Sequence, residues 1–267
     1  MVYSIFDTPQ NSGPSTLVHT IRLNQNSLMH WVSEDSCIIN IDLAPSKNEQ
    51  QKNAALLDAN RLVMQWTQGL TQAYPKWLTN YVPSYTSLLI TIDVMYSDIF
   101  AVTQFLKNLA LTMSQVDDQK VLESPQEHII EVCYEALIPE QPNDLIQVGE
   151  VLSLPIDEII KLHTEAIYRV FAVGFLPNFA YLGFTSSQLN IPRLSSPRTK
   201  VPAGAVAIAD NQTAIYPQVS PGGWHILGYT PSDMSGHGDI VFKAGDSVKF
   251  SAISACDYWQ KRDIKDD

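Results

Sequence analysis

Charge is what this 267-residue sequence has least of. Acidic and basic residues together make up 17%, below the roughly 25% of an average globular chain. The basic ones are the minority, 17 against 28 acidic, for a net charge of −11. A chain so poor in lysine and arginine repels phosphate backbones and anionic headgroups, so neither a nucleic-acid nor a membrane partner is expected. Cysteine is also scarce. Cys37, Cys133 and Cys256 are odd in number, far apart and never in a Cys-x-x-Cys pair, which argues against a disulfide framework or a structural zinc site and suits a reducing compartment, the cytoplasm. No run approaches 18 uninterrupted apolar residues, and residues 1–14 have neither a basic start nor an apolar stretch. Neither a membrane span nor a secretion signal is therefore expected, and residues 1–14 read as a mobile leader.

Several reactive motifs are missing as well. There is no G-x-x-x-x-G-K-[ST] phosphate loop, no G-x-G-x-x-G after a strand, no G-x-S-x-G elbow and no H-E-x-x-H. The six histidines never pair at i, i+4, and no metal is expected.

What is present is ample apolar material: 45% of residues are hydrophobic, enough for one large domain or two ordinary ones. In the first half, Leu17 to Leu23 and Cys37 to Leu43 read as strands, with a turn at Val32 to Ser36. Ser46 followed by Glu49 reads as a capping box. After it, Leu56, Ala59, Val63, Trp66 and Leu70 recur at spacings of 3 and 4, which predicts a helix ending near Gly69 and Pro75. Ser87 to Asp93 reads as a buried strand. A helix capped by Ser97 or Asp98 follows, with Ile99, Val102, Leu106 and Leu109 on its apolar face, then a strand at His128 to Cys133. The order is α+β and compatible with a ferredoxin-like split β-α-β arrangement. The polar stretch Gln115 to Gln126 places a boundary, giving domains at 15–115 and 126–256.

The second half opens with two short helices, Asn143 to Val151 and Ile156 to Thr164, parted by Leu154-Pro155. Their outline is that of a helix-turn-helix, but with only Lys161 and Arg169 nearby the pair reads as packing helices. Short apolar runs then alternate with Pro and Gly: Val170 to Phe175, Val201-Pro202, Ala205 to Ala209, Ala214 to Tyr216, Trp224 to Gly228, Ile240 to Phe242 and Ser247 to Phe250. This predicts a mostly β barrel or sandwich, followed by a charged tail from Trp259 to Asp267.

One stretch, His163 to Thr230, concentrates the unusual residues. It holds Gly174 to Gly183 with Phe175, Phe179 and Tyr181, then Pro192-Arg193, Pro197 to Gly204, Gln212 to Pro217, and Ser220-Pro221-Gly222-Gly223-Trp224. Prolines fix φ and glycines permit close backbone approach, so these are rigid loops carrying aromatic surface. Arg193, Arg198 and Lys200 are three cations within eight positions of an acidic chain, suited to a carboxylate ligand. Each residue also has a plainer reading. Phe175, Phe179 and Trp224 suit core packing as well as ligand contact; His163 suits proton transfer or a satisfied core position; Gln212 and Thr213 suit a substrate amide or loop backbone.

These same motifs resemble the family of the 5-oxoprolinase B subunits, which includes allophanate hydrolase subunit 1 and the sporulation kinase inhibitor KipI. The resemblance runs densely from Ile160 to Thr230 and more loosely through Asp35-Ser36 and Pro83-Ser84-Tyr85-Thr86-Ser87-Leu88-Leu89. It implies a small N-terminal α/β sandwich, a C-terminal cyclophilin-like β-barrel, and a complex with two partners, a homologous C-type subunit plus one of A type. That complex opens 5-oxoproline to glutamate using ATP, and the missing phosphate loop agrees with nucleotide chemistry housed elsewhere. On this reading the mouth of the barrel holds a small amide or lactam. Arg198 neutralises its carboxylate, Gln212 polarises its carbonyl, and His163 moves a proton. Phe179, Tyr181, Lys200, Thr213, Tyr216, Gly222, Gly223 and Trp224 line the pocket. The chain departs from the family pattern at Asn178 and Ala214, where Gly is usual, and at Ala205, where Ser is usual. It also departs in Pro142-Asn143-Asp144-Leu145 and in Ser235-Gly236-His237-Gly238-Asp239. Asn tolerates left-handed φ, so the turn at 178 survives the change. The alternatives are a kinase-inhibitor-like regulator, a component of a urea carboxylase or allophanate hydrolase and, from fold alone, a prolyl isomerase.

Overall fold

The computed structural model describes residues 20–113, 125–135, 141–238 and 240–266. The expected leader, the start of the strand expected from Leu17, and most of the boundary at Gln115 to Gln126 lie outside them. The first unit is an antiparallel sheet of Ile21–Asn24 (β1), Ser27–Trp31 (β2), Ser36–Ile41 (β3), Leu78–Pro83 (β4) and Ser87–Ile92 (β5), in the order β1-β2-β3-β5-β4. Helices Glu49–Ala73 (α1) and Ile99–Met113 (α2) accompany it. Strand alternation builds the core: Cys37, Ile39 and Ile41 of β3 and Leu88, Ile90 and Ile92 of β5 join Val63, Trp66 and Leu70 of α1 and Leu106 of α2. The helix caps are local. Asn48, not Ser46, caps α1: its side chain accepts from the Gln51 amide at 2.8 Å, and Gln51 reaches back to the Lys47 amide at 2.9 Å. The reciprocal box therefore sits two residues later than expected. Asp98 caps α2 by accepting from the Ala101 amide at 2.7 Å.

Two strands of this first unit were not legible. β4 is an edge strand without an apolar face, closed by Pro83, and β2 mixes polar and apolar residues. They change the topology. In a ferredoxin-like order the strand after α2 would return beside β3. Here that place belongs to β2. Glu127–Cys133 (β6) leaves for the second unit, where it pairs in parallel with Ser247–Ile253 (β14) over seven residues.

That second unit is a closed barrel of β6, Ile167–Val173 (β7), Ala180–Gly183 (β8), Ala205–Ala209 (β10), Gln212–Ile215 (β11), His225–Tyr229 (β13) and β14, in the order β10-β11-β8-β7-β14-β6-β13. A ribbon of Arg198–Val201 (β9) and Ser220–Gly222 (β12) stands beside it. Helices Leu145–Leu152 (α3) and Ile156–Glu165 (α4) are packing helices, with Leu145, Val148 and Ile159 in the barrel's inner core. Ile240 to Phe242 is not a strand, and the expected charged tail forms helix Ala255–Asp266 (α5), which buries Tyr258. The barrel wall has two apolar faces, because side chains alternate along each strand. Val206 and Ile208 of β10, Ile215 of β11 and Leu182 of β8 point inward. Ala205, Ala207, Ala209 and Ala214 point outward, beneath Phe179, Tyr216, Trp224 and Val201. No helix of the described residues is long and apolar enough to cross a membrane.

Candidate functional site

The alternation on β11 divides the expected site. Thr213 faces the inner core, where His163 has no exposed surface. The His163 ring lies between the Tyr134 hydroxyl, 2.7 Å from Nδ1, and the Thr213 hydroxyl, 2.9 Å from Nε2, and it stacks on Phe250 at 4.4 Å. Thr213 in turn donates to the Ala207 carbonyl at 3.1 Å. Burial pushes His163 down to a pKa of about 3, because a charged imidazole loses its hydration there. His163, expected to transfer a proton, and Thr213, expected to contact substrate, are both buried, hydrogen-bonded groups of the inner core.

Arg198 is also committed elsewhere. Its Nη2 donates to Asp144 at 2.6 Å and its Nη1 to the Trp224 carbonyl at 3.3 Å. Asp144 sits at the start of α3, accepts from the Ile226 amide at 2.7 Å and donates its own amide to the Ile226 carbonyl at 2.7 Å. The pair ties β9 to β13 and α3. The carboxylate that Arg198, expected to neutralise a substrate carboxylate, meets in this structure is Asp144 of the chain itself. Lys200 is exposed on β9.

On the outer wall the expected aromatic residues do converge. Phe179 is the hub, edge-on to Tyr181 at 5.0 Å, Tyr216 at 5.3 Å and Trp224 at 6.2 Å. The alanines beneath leave room for these rings. Tyr216 lies so close to Gly222 that a Cβ there would overlap its ring and hydroxyl, which is the physical need for glycine at that position. Gly223 has more space, and its carbonyl accepts from the Leu194 amide at 2.8 Å. Phe179, Tyr216 and Trp224 are buried, whereas Tyr181 and Gln212 are partly open to solvent. This aromatic cluster thus lies on the outside of the barrel wall.

Its cation is Arg193. The guanidinium lies 5.7 Å from the centre of the Trp224 ring and 3.6 Å from Asp210, and both charged groups are well exposed. The loop that carries it is held from both sides. Ile191 and Asp210 exchange backbone hydrogen bonds, the Pro192 carbonyl accepts from His225 Nε2 at 2.9 Å, and Leu194 bonds Gly223. His225 must then carry its proton on Nε2. Such bracing fixes where the charge stands before a ligand arrives.

Gln212, on the opposite side of β11 from Thr213, donates through Nε2 to the hydroxyl of Tyr85 in the N-terminal sheet unit. The Tyr85 ring stacks on Phe171 of β7 at 4.7 Å with the planes 6° apart. Burial raises the Tyr85 phenol pKa above its usual value, Tyr181 raises it further, and Arg193 opposes the shift. Asn60 of α1 locks this junction: its amide nitrogen reaches the Ser84 carbonyl at 3.1 Å and the Phe171 carbonyl at 3.3 Å, and its oxygen accepts from Arg169 Nε at 2.7 Å. The sequence held one signal for this, the Pro83 to Leu89 motif, but nothing in it pointed to a partner 127 positions away.

Asn178 adopts φ of 62°, the left-handed conformation expected of it. Its side chain donates to the Met234 and Ile240 carbonyls, each at 3.0 Å, and accepts from the Phe242 amide at 2.8 Å. That explains why the 240–242 run is not a strand: its backbone is satisfied by a side chain.

Known proteins share this outline. Residues 33–237 match the family model described as carboxyltransferase domain, subdomain C and D. The chain is 34% identical over 197 residues to the B subunit of 5-oxoprolinase from Bacillus subtilis (strain 168), covering 70% of this chain and 80% of that protein. It is 43% identical over 114 residues to the Haemophilus influenzae protein of the same name, covering 42% of this chain and 54% of that one. Among solved structures, TTHA0988 superposes with a TM-score of 0.65 at 29% identity over 82% of this chain, which spans only 40% of TTHA0988. The Kluyveromyces lactis urea carboxylase superposes with a TM-score of 0.63 at 13% identity, over 91% of this chain and 23% of that one, and so shares the fold.

Proposed function

The chain belongs to the carboxyltransferase-domain family that includes the B subunit of 5-oxoprolinase, and from that premise we propose that it is the B-type subunit of a 5-oxoprolinase-type complex. It binds a small lactam bearing a carboxylate, opened to glutamate with the help of ATP and of C-type and A-type partner subunits. The observation that carries this reading is the braced Arg193 over Trp224, beside Tyr181. A guanidinium on a fixed loop above an indole offers a planar, two-pronged contact to a carboxylate and an apolar face to a ring. The partly open edge at Tyr181 and Gln212 gives the lactam amide polar groups to meet. Asp210, the present neighbour of Arg193, is half-exposed and gives way to a ligand at little cost, since exposed ion pairs contribute only about 0–1 kcal/mol.

The sequence carries no G-x-x-x-x-G-K-[ST] phosphate loop. ATP use is accordingly proposed for the assembled complex, and no step is routed through a nucleotide here.

Reconstitution with the two partner subunits and an assay of ATP-dependent glutamate release from 5-oxoproline tests the reading. Arg193→Ala is expected to lower kcat/KM by at least about tenfold, the scale of one charge-assisted contact. Wild-type turnover in that variant would remove Arg193 from the site.

A further inference from the structure

Within the site proposed above, and resting on that reading, we propose that Tyr85 is the hydrogen-bond donor for the ligand's lactam carbonyl, with Gln212 as the residue that orients it. The sequence suggested that Gln212 itself polarises the carbonyl. Yet Gln212 spends its Nε2 on the Tyr85 oxygen. A phenol oxygen that accepts one hydrogen bond still has its own proton to give, and the hydrogen bonds of the described residues supply no acceptor for it. Its bonding partner Gln212 pairs with Gly183 on β8, two residues from Tyr181, and Tyr181 and Arg193 both bear electrostatically on this hydroxyl. Burial keeps the phenol protonated across the physiological range, so the donor is always loaded. Geometry keeps it still: the ring is stacked flat on Phe171, and Asn60 holds the Ser84 and Phe171 carbonyls to either side. The site is therefore completed by both units, the cation from the barrel side and the donor from the sheet. The Pro83 to Leu89 motif acquires a chemical role through its tyrosine.

Binding of two probes to the reconstituted complex by calorimetry tests this. One is 5-oxoproline; the other is cyclopentanecarboxylate, which keeps the ring and the carboxylate but has no lactam carbonyl. Tyr85→Phe keeps the stacked ring and removes only the hydroxyl. Gln212→Glu places a carboxylate where it consumes the phenol proton. Each is expected to weaken 5-oxoproline about tenfold, the scale of one hydrogen bond, and to leave cyclopentanecarboxylate within about twofold, whereas Arg193→Ala weakens both. Equal binding of 5-oxoproline by wild type and Tyr85→Phe overturns the donor assignment. An equal loss of both probes in Tyr85→Phe also overturns it, since the residue would then only shape the wall. If the wild-type complex binds neither probe, the lactam reading itself falls and takes the donor with it. Should Tyr85→Phe fail to assemble, Tyr85→3-fluorotyrosine carries the test: its more acidic phenol must move the alkaline limb of 5-oxoproline binding to lower pH, and an unmoved limb overturns the proposal.

Discussion

Gln212 and Thr213 are neighbours on one strand, yet they belong to two polar clusters of opposite character. Thr213 joins His163, Tyr134 and Phe250 inside the barrel, where every polar atom of the imidazole is satisfied and none reaches solvent. Gln212 joins Tyr85, Tyr181 and Arg193 outside it, where charge and hydroxyl stay partly open. The difference teaches that histidine and threonine, the residue types most readily read as catalytic, serve here as core polar groups. The surface proposed for the ligand is assembled from a glutamine, tyrosines and an arginine facing the other way.

Substitutions separate the two clusters by what they change. The inner one should govern stability. His163→Ala removes a stacked ring and leaves two buried hydroxyls without partners, and about 3–5 kcal/mol of stability is expected to be lost in urea unfolding. A variant that kept full stability but lost turnover would move His163 back into the site. Acid should act through the same residue. Its folded pKa of about 3 lies below the usual 6.5, so between these values the unfolded chain binds a proton that the native chain does not. The stability His163 supports is complete above about pH 6.5 and erodes, by an order of a few kcal/mol, as pH falls toward 3. Thermal melts from pH 8 to 4 should show this fall, with a flatter slope in His163→Gln.

Arg198 and Asp144 test the border between the clusters. Asp144→Ala strands a half-buried guanidinium and frees the Ile226 amide, and a loss of about 2–3 kcal/mol is expected. If Arg198 instead served the ligand, Asp144→Ala would sharpen binding by releasing it. The smallest stability effect belongs to the outer cluster: Arg193→Ala should leave chemical denaturation within about 0.5 kcal/mol of wild type while impairing ligand binding. A stability loss as large as that of His163→Ala would break the comparison.

Legibility followed the range of the interaction. Helix α1 was readable from Ala59, Val63, Trp66 and Leu70, because a 3.6-residue period is local. Asn178 was readable as a left-handed residue for the same reason. Strand β4 was not, since an edge strand lacks the one-sided apolar pattern that marks a strand. The Arg198 ion pair was not legible because its partner, Asp144, lies 54 positions earlier at the start of helix α3. Tyr85 stood in a visible motif without a visible purpose, and its partner, Gln212, lay in the other unit.

The sequence by itself determined the family, the succession of a sheet-and-helix unit and a barrel, and the set of aromatic and glycine-rich loops around the outer-wall cluster. These are written in residue type and short spacing, apart from the edge strand β4 and strand β2. Which face of the barrel wall each side chain takes, and which cation keeps its charge available, was decided only by the tertiary structure. The reason is that strand register and pairing across more than a hundred positions are set by packing of the whole core, and a shift of one residue on β11 would exchange the roles of Gln212 and Thr213.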